Sequence, residues 1–131
     1  MRIAIVLNEG LGVGYLVNAA SCIASGLFYK EDNVIGESIK GSDFDFIPIT
    51  RIPILILKQN KKSWPELLKR AKRNKLKYMV FTKEAQSTTS YEEYTERVKG
   101  KKLEEVEVFG LGVLGDDESI NRFSGDLALL R

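Results

Sequence analysis

Thr82, Glu84, Thr88, Thr89 and Tyr91 fall within ten positions of one another, and together they supply a carboxylate, three short hydroxyls and a phenol. The chain has no histidine, so the usual neutral-pH acid/base and the commonest metal ligand are both missing. A Ser-His-Asp triad, a Cys-His pair and most zinc sites are thereby excluded. Any general base is a carboxylate, a lysine, a tyrosine or a water held by hydroxyls. The five residues follow an apolar run at 78–82, which reads as a strand and puts them in a loop at its carboxyl end. Ligands gather outside such ends in open α/β sheets. A plainer reading of the same spacing is that Thr88, Thr89 and Ser90 only cap the helix that begins at Tyr91.

A second candidate is the glycine turn Gly10-Leu-Gly12-Val-Gly14. It lacks the lysine and the serine or threonine of a P-loop, and its spacing is not the G-x-G-x-x-G of dinucleotide folds. Two readings stay open: a tight corner between strand and helix, or an anion site in which free N–H groups at the helix start meet a phosphate. Behind it, Asn18, Ser21 and Ser25 share one polar stripe at three- and four-residue steps. Asn18 is expected to line a pocket. Cys22 has no histidine to activate it and reads as a structural thiol. Asp43 and Asp45 alternate with Phe44 and Phe46, so both carboxylates face solvent from one extended piece, and two carboxylates without further ligands make no metal site.

The elements that must position these groups are legible from periodicity. Residues 3–7 are a continuous apolar run, as in a central strand buried on both faces. Leu16, Val17, Ala20, Ile23, Ala24 and Leu27 then recur at helical spacing, and Ala19, Ala20 and Ala24 let that helix lie close to its neighbour. From Tyr29 to Arg51 the pattern weakens into an irregular excursion holding a short extended piece. A second strand spans 52–57 with Pro53 at its start. Ser63-Trp-Pro-Glu66 reads as a capping box in which Ser63 accepts from the third helical N–H and Glu66 reaches back, opening a helix of about twelve residues. Ser90-Tyr-Glu-Glu93 is a second box, whose helix ends at Gly100. A fourth strand covers 106–114, broken by Gly110 and Gly112 where a helix can approach. A last helix runs from Asp116 or Asp117 to Gly125. Alternating strands and helices without repeats predict one α/β domain over 1–131, with about four strands and helices on both faces.

Composition narrows the class. A chain of 131 residues with 44% hydrophobic and 29% charged residues is of ordinary globular type and has room for one core. No apolar stretch approaches the roughly 20 residues of a membrane helix, so no membrane association is expected. The one cysteine, Cys22, permits no internal disulfide and fits a reducing compartment, which makes the cytoplasm the expected location. Residues 58–77 carry nine basic side chains against Glu66 alone, a local +8 in a chain whose total is +2, so the remainder sums to −6. Such a segment either attracts a polyanion such as RNA or is a solvated helix face.

Four blocks carry a family resemblance: "VNAASCIASGL", "TRIPILIL", "FTKEAQSTTSYEEY" and the tail "GLGVLGDDESINRFSGDLALLR". In that order the chain resembles, over nearly its whole length, the family termed domain of unknown function 2000, and more distantly the type II peptidyl-tRNA hydrolases. The resemblance implies a three-layer α/β/α sandwich around a mixed four-stranded sheet, with one strand antiparallel to the rest, often as a homodimer. It also implies roles: Glu84 as general base on water and Thr88 positioning that water, these two being similar to the hydrolases' aspartate and threonine. The hydrolases' lysine after the second glycine of the turn looks like Tyr15, their helix glutamine and histidine look like Ala19 and Cys22, and their arginine like Ser87. The cationic positions are gone, and hydrolysis at the end of an RNA needs something to hold phosphate and to stabilise an oxyanion.

The reading that follows is a fold of peptidyl-tRNA hydrolase II type that binds a small or nucleotide-like ligand without efficient peptidyl-tRNA hydrolysis. Its cleft is expected between the Gly10–Asn18 turn and the Thr82–Tyr91 loop, with Gly12, Gly14, Tyr15, Asn18, Thr82, Thr89 and Tyr91 binding and no cofactor or metal. The alternatives are a hydrolase of peptidyl-tRNA or of a smaller ester or amide using Glu84 and Thr88, and a homodimeric RNA-interaction module using residues 58–77.

Overall fold

The apolar run at the head of the chain becomes β1 (Arg2–Leu7), in which Ile3, Ala4, Ile5, Val6 and Leu7 are all buried. The computed structural model describes residues 1–131, and after β1 it places α1 (Val13–Leu27), β2 (Ile39–Lys40), β3 (Asp45–Phe46), β4 (Ile54–Lys58), α2 (Trp64–Arg73) and β5 (Lys77–Thr82). The chain closes with α3 (Lys83–Gln86), α4 (Tyr91–Val98), a single 3-10 turn (Leu103–Glu105), β6 (Val108–Gly115) and α5 (Asp117–Ser124).

The main sheet has the order β4-β1-β6-β5. β1 and β4 are parallel, while β6 is antiparallel to both of its neighbours. β1, β4 and β5 therefore share one direction and β6 opposes them, which is the expected mixed sheet with one reversed strand. Side chains alternate across β1. Ile3, Ile5 and Leu7 pack with Ala19, Ile23 and Leu27 of α1, and Ala4 and Val6 pack on the other face with Leu67 and Ala71 of α2 and Ile120 and Phe123 of α5. Helices thus cover both faces.

Gly110 and Gly112 in β6 are where α1 comes down. A Cβ on Gly112 would overlap Ile23 Cγ2 and lie 3.0 Å from Leu27 Cδ1, and one on Gly110 would lie 2.9 Å from Ile23 Cδ1. Bare backbone at these two positions lets Ile23 and Leu27 bury completely, a gain of about 1.5–3 kcal/mol for each side chain.

The helix starts follow the sequence with one revision. Ser63 Oγ accepts from Glu66 N at 3.2 Å and Ser90 Oγ from Glu93 N at 3.1 Å. The returning halves of both boxes are not made. Glu66 turns instead to Arg70 (3.3 Å) and Glu93 to Arg97 (2.7 Å), both one turn ahead. α2 is ten residues long rather than twelve, α4 stops at Val98, and Gly100 takes the left-handed conformation at φ 74°. The short α3 was not foreseen; Thr82 caps it, its Oγ1 accepting from Ala85 N at 3.2 Å.

The excursion between α1 and β4 is a protruding two-stranded arm. Ile35–Thr50, Ile39–Phe46 and Lys40–Asp45 keep one antiparallel register, and the tip closes with Gly41 N donating to Phe44 O at 2.9 Å. β2 and β3 pair only with each other. Six large apolar side chains on the arm, Ile35, Ile39, Phe44, Phe46, Ile47 and Ile49, stand open to solvent.

Candidate functional site

The carboxyl ends of β1 and β5 lie at one end of the sheet, so the glycine turn and the loop after β5 both emerge there. The glycine turn is braced by Asn8: its Oδ1 accepts from Gly10 N at 3.0 Å and its carbonyl from Leu11 N at 3.1 Å. None of Gly10, Gly12 and Gly14 adopts a left-handed conformation, and nothing lies within 4 Å of a Cβ built on Gly14. Gly12 is the N-cap of α1 in extended conformation and offers no side-chain cap. Tyr15, half exposed, sets its ring edge to face on Phe109 with centroids 6.0 Å apart.

The polar stripe of α1 satisfies itself. Ser21 Oγ donates to Val17 O at 2.9 Å and Ser25 Oγ to Cys22 O at 2.8 Å. Asn18 is exposed, and its Oδ1 sits 4.0 Å from Cys22 Sγ.

Two turns down α1 the helix passes close to β5. A Cβ on Gly26 would overlap Met79 Sδ, and beside this contact opens a cavity of about 500 Å³. Met79, Phe81 and Ala85 line its apolar side, Cys22 and Gly26 belong to α1, and Thr88, Thr89, Ser90, Tyr91 and Tyr94 complete the wall. No charged side chain faces it. Thr88, Thr89 and Tyr91 are thus brought together, and they meet α1 at Cys22 and Gly26. Gly12, Gly14, Tyr15 and Asn18 lie outside the lining, as do Thr82 and Glu84.

Two of the wall hydroxyls, those of Thr88 and Ser90, also have local bonds. Thr88 Oγ1 donates to Ala85 O at 3.1 Å, and buried Thr82 is engaged in capping α3. Tyr91 stands 78% exposed at the rim with its ring edge on Tyr94, centroids 5.7 Å apart. Burial pushes the Tyr94 phenol up from its ordinary value, with the neighbouring Tyr91 a smaller cause. Glu84 divides its carboxylate: Oε1 accepts from Glu107 N at 3.2 Å, and Oε2 is shielded from solvent with no partner.

The basic segment is less uniform than its sequence. Lys62 and Arg70 pair with Asp126, and Lys77 pairs with Glu31. Asp45 of the arm pairs with Lys40 at 3.4 Å. No helix is long and apolar enough to cross a membrane.

The family model described as Protein of unknown function (DUF2000) matches residues 1–131, the whole chain. The chain belongs to the DUF2000 family. No curated protein matches this DUF2000 sequence. Among solved structures, the DUF2000 fold is similar to a protein of unknown function from Agrobacterium tumefaciens strain C58, with a TM-score of 0.86, 16% identity and coverage of 98% of this chain and 96% of that one. At that identity the likeness is one of fold.

Gly26, Met79, Phe81, Ala85 and Tyr94 are lining residues that sequence reasoning did not single out, and Cys22 and Ser90, read there as a structural thiol and a cap, also belong to the wall. The small-residue face of α1 was the available signal, since a helix so bare must touch something closely. Which strand it touches depends on the sheet order.

Proposed function

We propose that this DUF2000 chain is a ligand-binding protein of peptidyl-tRNA hydrolase II-like fold that does not efficiently hydrolyse peptidyl-tRNA. The observation that carries the reading is the cavity between Cys22 of α1 and the Thr88–Tyr91 segment, with Met79, Phe81 and Ala85 along its apolar side. Its size is that of a small-molecule site. Because hydroxyls and apolar atoms face it without any charge, it suits a neutral, ring-bearing molecule with one or two polar groups, such as a nucleoside-like body. A charged ligand would lose hydration there with no countercharge.

Hydrolysis finds less support. Glu84 lies outside the cavity that Thr88 lines, and no cation faces that cavity to hold an RNA phosphate. Among Gly12, Gly14, Tyr15, Asn18, Thr82, Thr89 and Tyr91, the reading keeps Thr89 and Tyr91 as ligand contacts and adds Thr88.

A homodimer is part of the proposal, because the arm leaves six apolar side chains in water and a two-stranded ribbon is marginal alone. On one face of the arm Ile39, Phe44 and Phe46 lie together, an exposed apolar patch of the kind a partner surface covers. The lone, partly exposed thiol of Cys22 fits a cytoplasmic location.

Screening uncharged metabolites against the full chain by amide chemical shifts tests the cavity. Binders are expected to move Cys22, Gly26 and residues 88–91 together. Shifts confined to the glycine turn, or no binder at all, would count against it.

A further inference from the structure

α4 has a hollow on each side, and the second differs in chemistry from the first. It measures about 480 Å³ and lies among α2, β5, α4 and the 3-10 turn. Leu68, Val80, Val98, Leu103 and Val106 give it an apolar lining, with Tyr94 and Thr82 between them, and Lys72, Lys101 and Lys102 face it. It continues past Leu68, Lys72 and Leu103 into a trough that Lys69 and Arg73 also line, with Glu104 as the one acid.

The five cations, Lys69, Lys72, Arg73, Lys101 and Lys102, form no ion pair. Arg70, on the same helix as three of them, is held by Asp126 and Glu66. The contrast shows that acids are available to this helix but are spent on its other face. Two stretches of sequence about thirty residues apart therefore bring five unpaired cations to one apolar-lined groove that holds a single acid, an arrangement that attracts anions.

We propose that this groove binds a nucleotide-type ligand: an apolar ring seated among Leu68, Val80 and Leu103, with two or more phosphate charges reaching the lysines and Arg73. A bare inorganic anion would leave the apolar lining in water, and a neutral ring would leave the cations unanswered. The hollow has the volume of a small-molecule site. Phosphate contacts by several exposed cations make binding salt-dependent. The inference is independent of the uncharged cavity on the other side of α4.

The test is calorimetric titration of the full chain with ATP, with inorganic triphosphate and with a 20-nucleotide oligouridylate, at low and moderate salt. ATP is expected to bind, triphosphate at least tenfold more weakly, and the oligonucleotide no more tightly than ATP. Lys72→Glu with Lys102→Glu is expected to weaken ATP at least tenfold. Lys61→Glu, in the same basic segment but outside both hollows, is expected to leave it unchanged. All three lysines are exposed, and circular dichroism checks that the variants fold. Absence of ATP binding, equal affinity for triphosphate, indifference to the double variant or tight binding of the oligonucleotide alone would each overturn the proposal.

Discussion

Arg70 and Asp126 face each other as a fork across 56 residues of chain, with Nη1 to Oδ1 at 2.8 Å and Nη2 to Oδ2 at 3.1 Å. Arg70 Nη1 also donates to Phe123 O at 3.1 Å, so one guanidinium ties α2 to the segment that leaves α5. Its hydrogen bonds, and Lys62 beside them, hold the Asp126 carboxyl well below the usual carboxylate range. The stabilisation is fully present above the unfolded-state pKa of about 4, and it is lost as pH falls toward the depressed folded value. Asp126 is 48% exposed, so solvent screening reduces the pair to on the order of 1 kcal/mol. Asp126→Asn is expected to lower the melting temperature by roughly 3 °C at pH 7. In thermal scans that gap should narrow steadily below pH 4; a gap that widens there would refute the assignment.

Gly112 and Gly14 make opposite predictions for the same substitution. Gly112→Ala forces Ile23 and Leu27 off the sheet, an overpacking cost of about 1–3 kcal/mol. Gly14→Ala meets open space in the first turn of α1 and is expected to be neutral or to stabilise by up to about 1 kcal/mol. Chemical denaturation of the two variants checks the pair. A destabilising Gly14→Ala would reveal a constraint on the glycine turn that its geometry does not contain.

Much of this was legible in the sequence because β1, the paired strands and the caps rest on local signals. Ile3 to Leu7 could only be a strand covered twice, and Gly110 and Gly112 already indicated a helix pressed on β6. Local signals failed where two local partners competed. Glu66 and Glu93 each had a cap N–H behind and an arginine ahead at helical spacing, and both chose the arginine. The arm was hidden because Gly36 and Pro48 interrupt its alternation. The cavity was half legible: Thr88, Thr89 and Tyr91 were singled out, but their counterpart on α1 was placed at the glycine turn rather than at Cys22 and Gly26. That depends on β5 being an edge strand beside α1, a non-local fact.

The arm makes its own prediction. Phe46 opposes Ile39 and packs at a tilt against Phe44 with centroids 4.6 Å apart, so Ile39, Phe44 and Phe46 make one apolar face of the ribbon. Phe46→Asp is expected to convert a dimer into a monomer of 14.7 kDa without lowering helical content, read by light scattering on a sizing column. A monomeric parent, or a dimer indifferent to the substitution, would remove the arm as the interface.

Cys22 reports on the cavity directly because it is the one thiol in the chain. Partly exposed on the cavity wall, it is expected to react with a soluble disulfide reagent in the native state, and several-fold faster in Tyr91→Ala, which opens the rim. A thiol that reacts only after denaturation would mean that the cavity is closed to solutes.

The proposal that this chain binds a ligand without hydrolysing peptidyl-tRNA is tested most directly by release of amino acid from an N-blocked aminoacyl-tRNA by the purified full chain, with Glu84→Ala and Thr88→Ala alongside. Release is expected to be no faster than in buffer for all three proteins. Enzyme-like turnover by the parent chain, abolished by both substitutions, would contradict it and restore Glu84 and Thr88 as catalytic residues.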